Sequence, residues 1–220
     1  MLIIRVELSL ILFFGLRLTS LYSQTVSDAD GNIYKTVQIG TQTWMAENLK
    51  TTKYNDSTAI PLLEKDADWA TTRTPAYTWY ENDTSRYKKV YGALYKGYTV
   101  ISNKLCPLGW HVPSDPEWIV LFDFLGGIDL AGDKMKEKGI SHWANRPNTT
   151  KATNASGFTA QPGGSRGQSF GDLSFSGYFW SSTEISSGSN WSYLLDFSQR
   201  NVQREAQSKL DGLSVRCVKD

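Results

Sequence analysis

Between Cys106 and Gly127 the chain reads CPLGWHVPSDPEWIVLFDFLGG, a stiff loop running straight into a helix with both ends marked. Pro107, Gly109 and Pro113 punctuate the loop. Ser114 and Glu117 have the spacing of a reciprocal capping box, in which the carboxylate three residues on returns to the cap's own amide. Pro116 costs little in the first turn, where its missing N–H would have had no partner. Trp118, Leu121, Phe122 and Leu125 recur at helical spacing, and Gly126 and Gly127 end the pattern. Any fold of this chain must cover the apolar side of that helix, and the remaining segments read as strands and loops around it.

The 220 residues fit one core of ordinary size, read as a targeting segment over 1–23 and a single domain over 24–220. Leu8 to Leu16 is a short apolar run after Arg5 that ends near Ser20 and Ser23, the layout of an export signal, although Glu7 and Arg17 flank it. The run is too short to cross a bilayer, so no membrane span is expected after cleavage. Export would place the chain in the periplasm, on the cell surface or outside the cell. With a formal net charge of +1 and scattered basic residues, neither nucleic acid nor an acidic surface is implied as a partner.

In an oxidising compartment the two cysteines, Cys106 and Cys217, are expected to pair. The bridge would be worth roughly 4 to 5 kcal/mol in the chain-entropy account. No Cys-x-x-Cys occurs, and His111 and His142 are the only histidines, so a zinc or redox centre lacks ligands. No metal or cofactor is expected.

Asp28 to Asn32 (DADGN) has turn chemistry and the first half of a calcium loop, but the twelfth position of such a loop falls on Ile39. Ile33 to Ile39 alternates as a half-buried strand, and Gly40-Thr41 turns it into Thr43 to Ala46. From Leu49 to Arg86 no period is sustained. Trp69, Tyr77, Trp79 and Tyr80 lie there, either as rings that stack on sugar faces or as anchors that tie a long loop to the core. Tyr91 to Val100 reads as a short helix or strand. Leu130 to Lys138 predicts a second short helix stopped by Gly139, and His142 and Trp143 follow in a polar loop.

Gly163-Gly164-Ser165-Arg166-Gly167 matches G-x-S-x-G, the nucleophile elbow of α/β-hydrolases. No helical period follows it and no histidine comes after Ser165, so a glycine-rich connection between strands is expected instead. The last third reads as antiparallel sheet over Tyr178 to Ser182, Trp191 to Phe197, Val202 to Ala206 and Leu213 to Val218, with a hairpin from Trp191 to Ala206.

The blocks DADGNIYKTVQIGTQTWMAENLKT, YGALY, LCPLGWHVPSDPEW, ATNASGFTAQPGG, FWSSTE and GLSVRCVKD resemble, in order, the Fibrobacter succinogenes major paralogous (FISUMP) domain over nearly all of residues 24–220. More distantly, the P-S-x-x-E-W helix start and the closing S-V-R-C strand are similar to the formylglycine-generating-enzyme and C-type-lectin-like group. That resemblance implies an α+β, C-type-lectin-like domain with two short helices on a twisted antiparallel sheet, one disulfide and neighbouring termini. Sugar-binding relatives in that group hold calcium with Glu-Pro-Asn or Gln-Pro-Asp; the counterpart here is Gln161-Pro162-Gly163, whose third position offers no side-chain oxygen.

The expectation is an exported, non-catalytic binding or adhesion module for a glycan or a protein, with Trp69, Trp79, Trp143 and Trp191 as the candidate contact residues. The rival reading is a hydrolase using Ser165, His142 and a carboxylate such as Asp172. A purely structural surface protein is the third.

Overall fold

The computed structural model describes residues 24–220, so the targeting segment read over residues 1–23 lies outside the described part. In chain order the elements are β1 (Thr25–Ser27), β2 (Ile33–Ile39), β3 (Gln42–Met45), α1 (Asp66–Thr71), β4 (Tyr77–Thr78), α2 (Thr84–Tyr91), β5 (Leu94–Lys96), α3 (Gly97–Val100), β6 (Trp110–His111), α4 (Asp115–Phe124), α5 (Ile128–Met135), β7 (Gly163–Arg166), β8 (Phe170–Leu173), β9 (Ser176–Ser186), β10 (Ser189–Asp196), β11 (Val202–Ser208), β12 (Gly212–Leu213) and β13 (Val218–Lys219). One sheet runs β1-β2-β3-β13-β6, and a larger one runs β11-β10-β9-β7-β12-β5-β4 with β8 beside β7. All named pairings are antiparallel except β7 with β9. None of the described helices is long and apolar enough to cross a membrane.

The expected elements around the capped helix are present. Glu117 Oε2 accepts from the Ser114 amide at 2.8 Å and from its hydroxyl at 2.6 Å, and Gly126 and Gly127 leave the helix with φ of 94° and 98°. The inward face of α4 buries Trp118, Leu121 and Phe122 against Trp44, Phe158, Phe179 and Tyr193. Removing each such side chain from water is worth about 1.5–3 kcal/mol, so this contact dominates the helix's own propensity. The outer face leaves Ile119, Val120 and Phe124 exposed. Phe124 lies over the Gly40 turn of the β2–β3 hairpin, where a Cβ would sit 2.9 Å from its ring and φ is +59°; the glycine serves both needs.

The hairpin of β10 and β11 pairs Trp191 with Ala206, as the turn signals imply. Two expectations need correction. Two sheets are present rather than one, and α1, α2 and α3 join the two predicted helices. The segment Gly163–Arg166 is itself a strand rather than a connection, because its glycines let β8 lie close alongside; a Cβ on Gly164 would sit 2.2 Å from the Gly171 carbonyl oxygen. The Asp28–Asn32 segment is the expected turn, and its carboxylates are occupied. Asp28 accepts from the amides of Asp30 and Asn32, and Asp30 accepts from the amide and hydroxyl of Thr52.

Interior cations hold the irregular stretches. Lys96, Lys136, Arg166, Lys209 and Arg216 are all buried, and each donates to at least one backbone carbonyl. Lys96 joins Trp69 O to Leu210 O, and Lys136 joins Asp196 O to Gln199 O. A loop carbonyl that leaves water needs a donor, and a charged donor gives the stronger bond.

At the chain's far edge His111 bridges two carboxylates, with Nδ1 2.6 Å from Asp220 Oδ1 and Nε2 2.7 Å from Glu117 Oε1. Burial pulls the imidazole down, but the hydrogen bonds and charges of Asp220 and Glu117 outweigh it and raise His111 above its ordinary 6.5. A cation favoured by folding contributes its full stability below 6.5 and loses it as pH rises through the folded value. The urea midpoint should therefore decline across that window, modestly because His111 is 37% exposed. His111→Asn should flatten the decline, and an unchanged profile would dismiss the bridge as a stabilising contact.

Candidate functional site

A cleft of about 200 Å³ opens between the segment after β3, the end of α2 and the segment before β7. It is lined by Ala46, Glu47, Asn48, Lys89, Val90, His142, Thr159 and Gln161. Its geometry follows from how α2 is built and fixed. Asp83 caps the helix by accepting from the Arg86 amide at 3.0 Å, while Tyr87 and Tyr91 turn inward. Gly92 then leaves the helix at φ +71°, where a Cβ would lie 2.6 Å from the Leu49 carbonyl oxygen. This close approach lets Asn48 Nδ2 donate to Tyr91 O at 2.9 Å and to Ser214 Oγ at 3.2 Å.

Arg216 lies beneath the cleft, fully buried. Its guanidinium donates to Asn48 Oδ1 at 2.7 Å, Met45 O at 3.2 Å, Thr159 O at 2.8 Å and Phe158 O. Phe158 lies under the guanidinium plane at 4.5 Å. Burial pulls Arg216 down to about 9, with Glu47 the charge opposing that shift, so it is cationic at neutral pH. Thr159 is held in the left-handed region at φ +55°, and the Asn154 side chain both accepts from its amide and donates to its hydroxyl. The opposite wall carries His142, whose Nδ1 is 2.7 Å from Glu137 Oε2 and whose ring meets Tyr91 edge-on at 5.8 Å. Gln161 Oε1 is buried and accepts no hydrogen bond from any described residue.

Of the residues singled out in the sequence, His142 and Gln161 line this cleft and Ser165 does not. Ser165 sits in β7 opposite Gly171, and His142 bonds to Glu137, so no hydrogen bond joins that serine to that histidine. Asp172 instead accepts from Tyr178 Oη at 3.1 Å.

The four tryptophans are not brought together. Trp69, Trp79 and Trp143 are 1%, 3% and 4% exposed and present no ring face to a ligand. Each lies beside a cation: Lys96 and Arg166 with Trp69, Lys88 with Trp79 and Lys136 with Trp143. Trp191 is half-buried, with the Arg204 guanidinium 3.4 Å from its ring centre. Arg204 also grips Asp115 at the start of α4 at 2.8 and 2.9 Å. Trp191 therefore backs a structural ion pair. Cys106 and Cys217 form the expected disulfide, with Cα atoms 6.0 Å apart.

Glu47, Asn48, Lys89 and Thr159 went unrecognised as lining residues. One local signal did exist for Lys89: Asp83 to Gly92 carries a helix cap and stop on either side of the pair Lys88-Lys89.

No curated protein and no solved structure matches the chain. Residues 37–219 match the Fibrobacter succinogenes major domain, and the chain belongs to that family.

Proposed function

We propose that this is an exported, non-catalytic binding module that holds a glycan in the cleft between Glu47, Lys89, His142 and Gln161. The observation that carries the reading is the composition of that cleft. It joins a carboxylate, an ammonium, an imidazole and a buried carboxamide oxygen without a donor, which together match the alternating donors and acceptors of sugar hydroxyls. No serine or cysteine lines it, the Thr159 hydroxyl is engaged by Asn154 and Gly157, and His142 bonds to Glu137 rather than to a hydroxyl or thiol. Recognition through stacked tryptophans is not part of this reading.

The scaffold on which the cleft is carried is, in this proposal, C-type-lectin-like. In support, α4 is packed under strands of both sheets, and the disulfide ties the loop before β6 to the last segment. The pairing of β13 with β3 brings the C-terminal strand beside the N-terminal hairpin.

A glycan array probed with the purified protein, followed by titration calorimetry on the hits, tests the reading. Reproducible carbohydrate binding is expected, independent of calcium and weakened about tenfold by Gln161→Ala, the scale of one well-made hydrogen bond to a buried group. Absence of any ligand would point to a structural role. Turnover of an ester or glycoside that disappears in His142→Ala would restore the hydrolase.

A further inference from the structure

We infer that the lysines beside the cleft bind the anionic groups of an acidic polysaccharide, an inference that rests on the cleft being a glycan site. Asn32, Lys50, Thr84, Lys88 and Lys89 line a groove of about 260 Å³, and Lys89 lines both this groove and the cleft. Lys50 comes from the segment after β3 and the other two lysines from α2, so residues distant in the chain bring three ammonium groups together. No carboxylate lines the groove.

The surrounding acids are already engaged. Glu47 pairs with Lys50 at 3.3 Å and accepts from the Lys35 amide. Asp28 accepts from Asn32 and Tyr34, Glu81 accepts from Tyr87 Oη, and Asp83 caps α2. Lys88 and Lys89 form no salt bridge with any described residue. Lys88 is half-buried, with its ammonium 5.1 Å from the Trp79 ring centre, so its position is set by the core rather than left to solvent.

Lys88 and Lys89 carry no counter-charge from the described residues, and an anion placed in the groove supplies one. A saccharide with spaced carboxylates satisfies both halves of the surface: charges on the lysine groove, and neutral hydroxyls on the cleft. A phosphate on every unit, as in nucleic acid, would bring like charge against the Glu47 wall.

The experiment compares a partly methyl-esterified polygalacturonate, whose free carboxylates are spaced along the chain, with its fully methyl-esterified form, which keeps the sugar backbone and removes the charge. Binding of the purified protein is followed by calorimetry and affinity electrophoresis, at low salt and at about 0.5 M salt, where charge is largely screened. The acid form should bind about tenfold tighter than the ester at low salt, and the difference should collapse at high salt. Lys50→Gln with Lys88→Gln, two positions that line the groove and not the cleft, should abolish most of the preference for charge but leave the ester's binding to the cleft unchanged. Lys89→Gln alone, on an exposed position, should reduce the preference in part without risk to the core beneath Lys88. Lys88→Arg with Lys89→Arg should retain the preference.

Equal binding of acid and ester would overturn this inference and leave the glycan reading intact. Failure of both polymers, together with an empty glycan array, would overturn both. Equal competition by a single-stranded DNA would show a charge-only surface and likewise overturn the saccharide assignment.

Discussion

Arg216→Met should cost about 3–5 kcal/mol, enough to leave a protein of ordinary stability largely unfolded or barely folded in the absence of denaturant. Methionine has similar length and fits an apolar site, so packing alone would predict a small effect. The loss comes from the partners. Asn48 Oδ1 and the carbonyls of Met45, Phe158 and Thr159 would remain in the interior with no donor from this side chain. Those four acceptors belong to β3, to the segment after it and to the segment before β7, so their separation would open the floor of the cleft as well. Arg216→Lys should fall between the two, because one ammonium cannot reproduce a fork that spans four acceptors. Denaturation midpoints measure the difference. A methionine variant within about 1 kcal/mol of the parent would mean that the acceptors re-pair with water, and that Arg216 does not hold this region.

The burial of Arg216 also shows what the sequence could and could not reveal. The capped helix was legible because Ser114, Pro116, Glu117 and Gly126 act within a few residues of one another. The two long hairpins were legible for the same reason, since alternation and a turn between them fix the register. The disulfide needed only two cysteines and an assumed compartment.

Trp69, Trp79 and Trp143 offered no such local cue. Trp79 and Trp143 are buried in core clusters assembled from distant segments, and Lys96, Arg166, Lys88 and Lys136 reach the three rings from other elements. Scattered basic residues in a sequence look like a solvated surface, yet five of them are interior donors to loop carbonyls and three others converge on one groove. The cleft was legible only at His142 and Gln161, because Glu47, Asn48, Lys89 and Thr159 become neighbours through the C-terminal segment carrying Arg216.

Removing the disulfide should act on the same segment by a different route. Cys106 and Cys217 are 111 residues apart, and closing a loop of that length restricts the unfolded chain by about 4–5 kcal/mol. Both cysteines are almost fully buried, so the native protein should resist thiol reductants, whereas reduction in denaturant should proceed readily. The paired variant Cys106→Ala with Cys217→Ala should shift the urea midpoint by a large part of that amount. Its near-UV circular dichroism should stay close to that of the parent, since the backbone bond from Met45 N to Cys217 O and the β13 pairing remain available. Arg216→Met should instead disturb the near-UV signal, because Phe158 lies against the lost guanidinium. The two losses should not be additive, since Arg216 and Cys217 are neighbours in the chain and restrain one segment. Additivity to within about 0.5 kcal/mol would show that the bridge and the buried arginine secure the C-terminal segment independently.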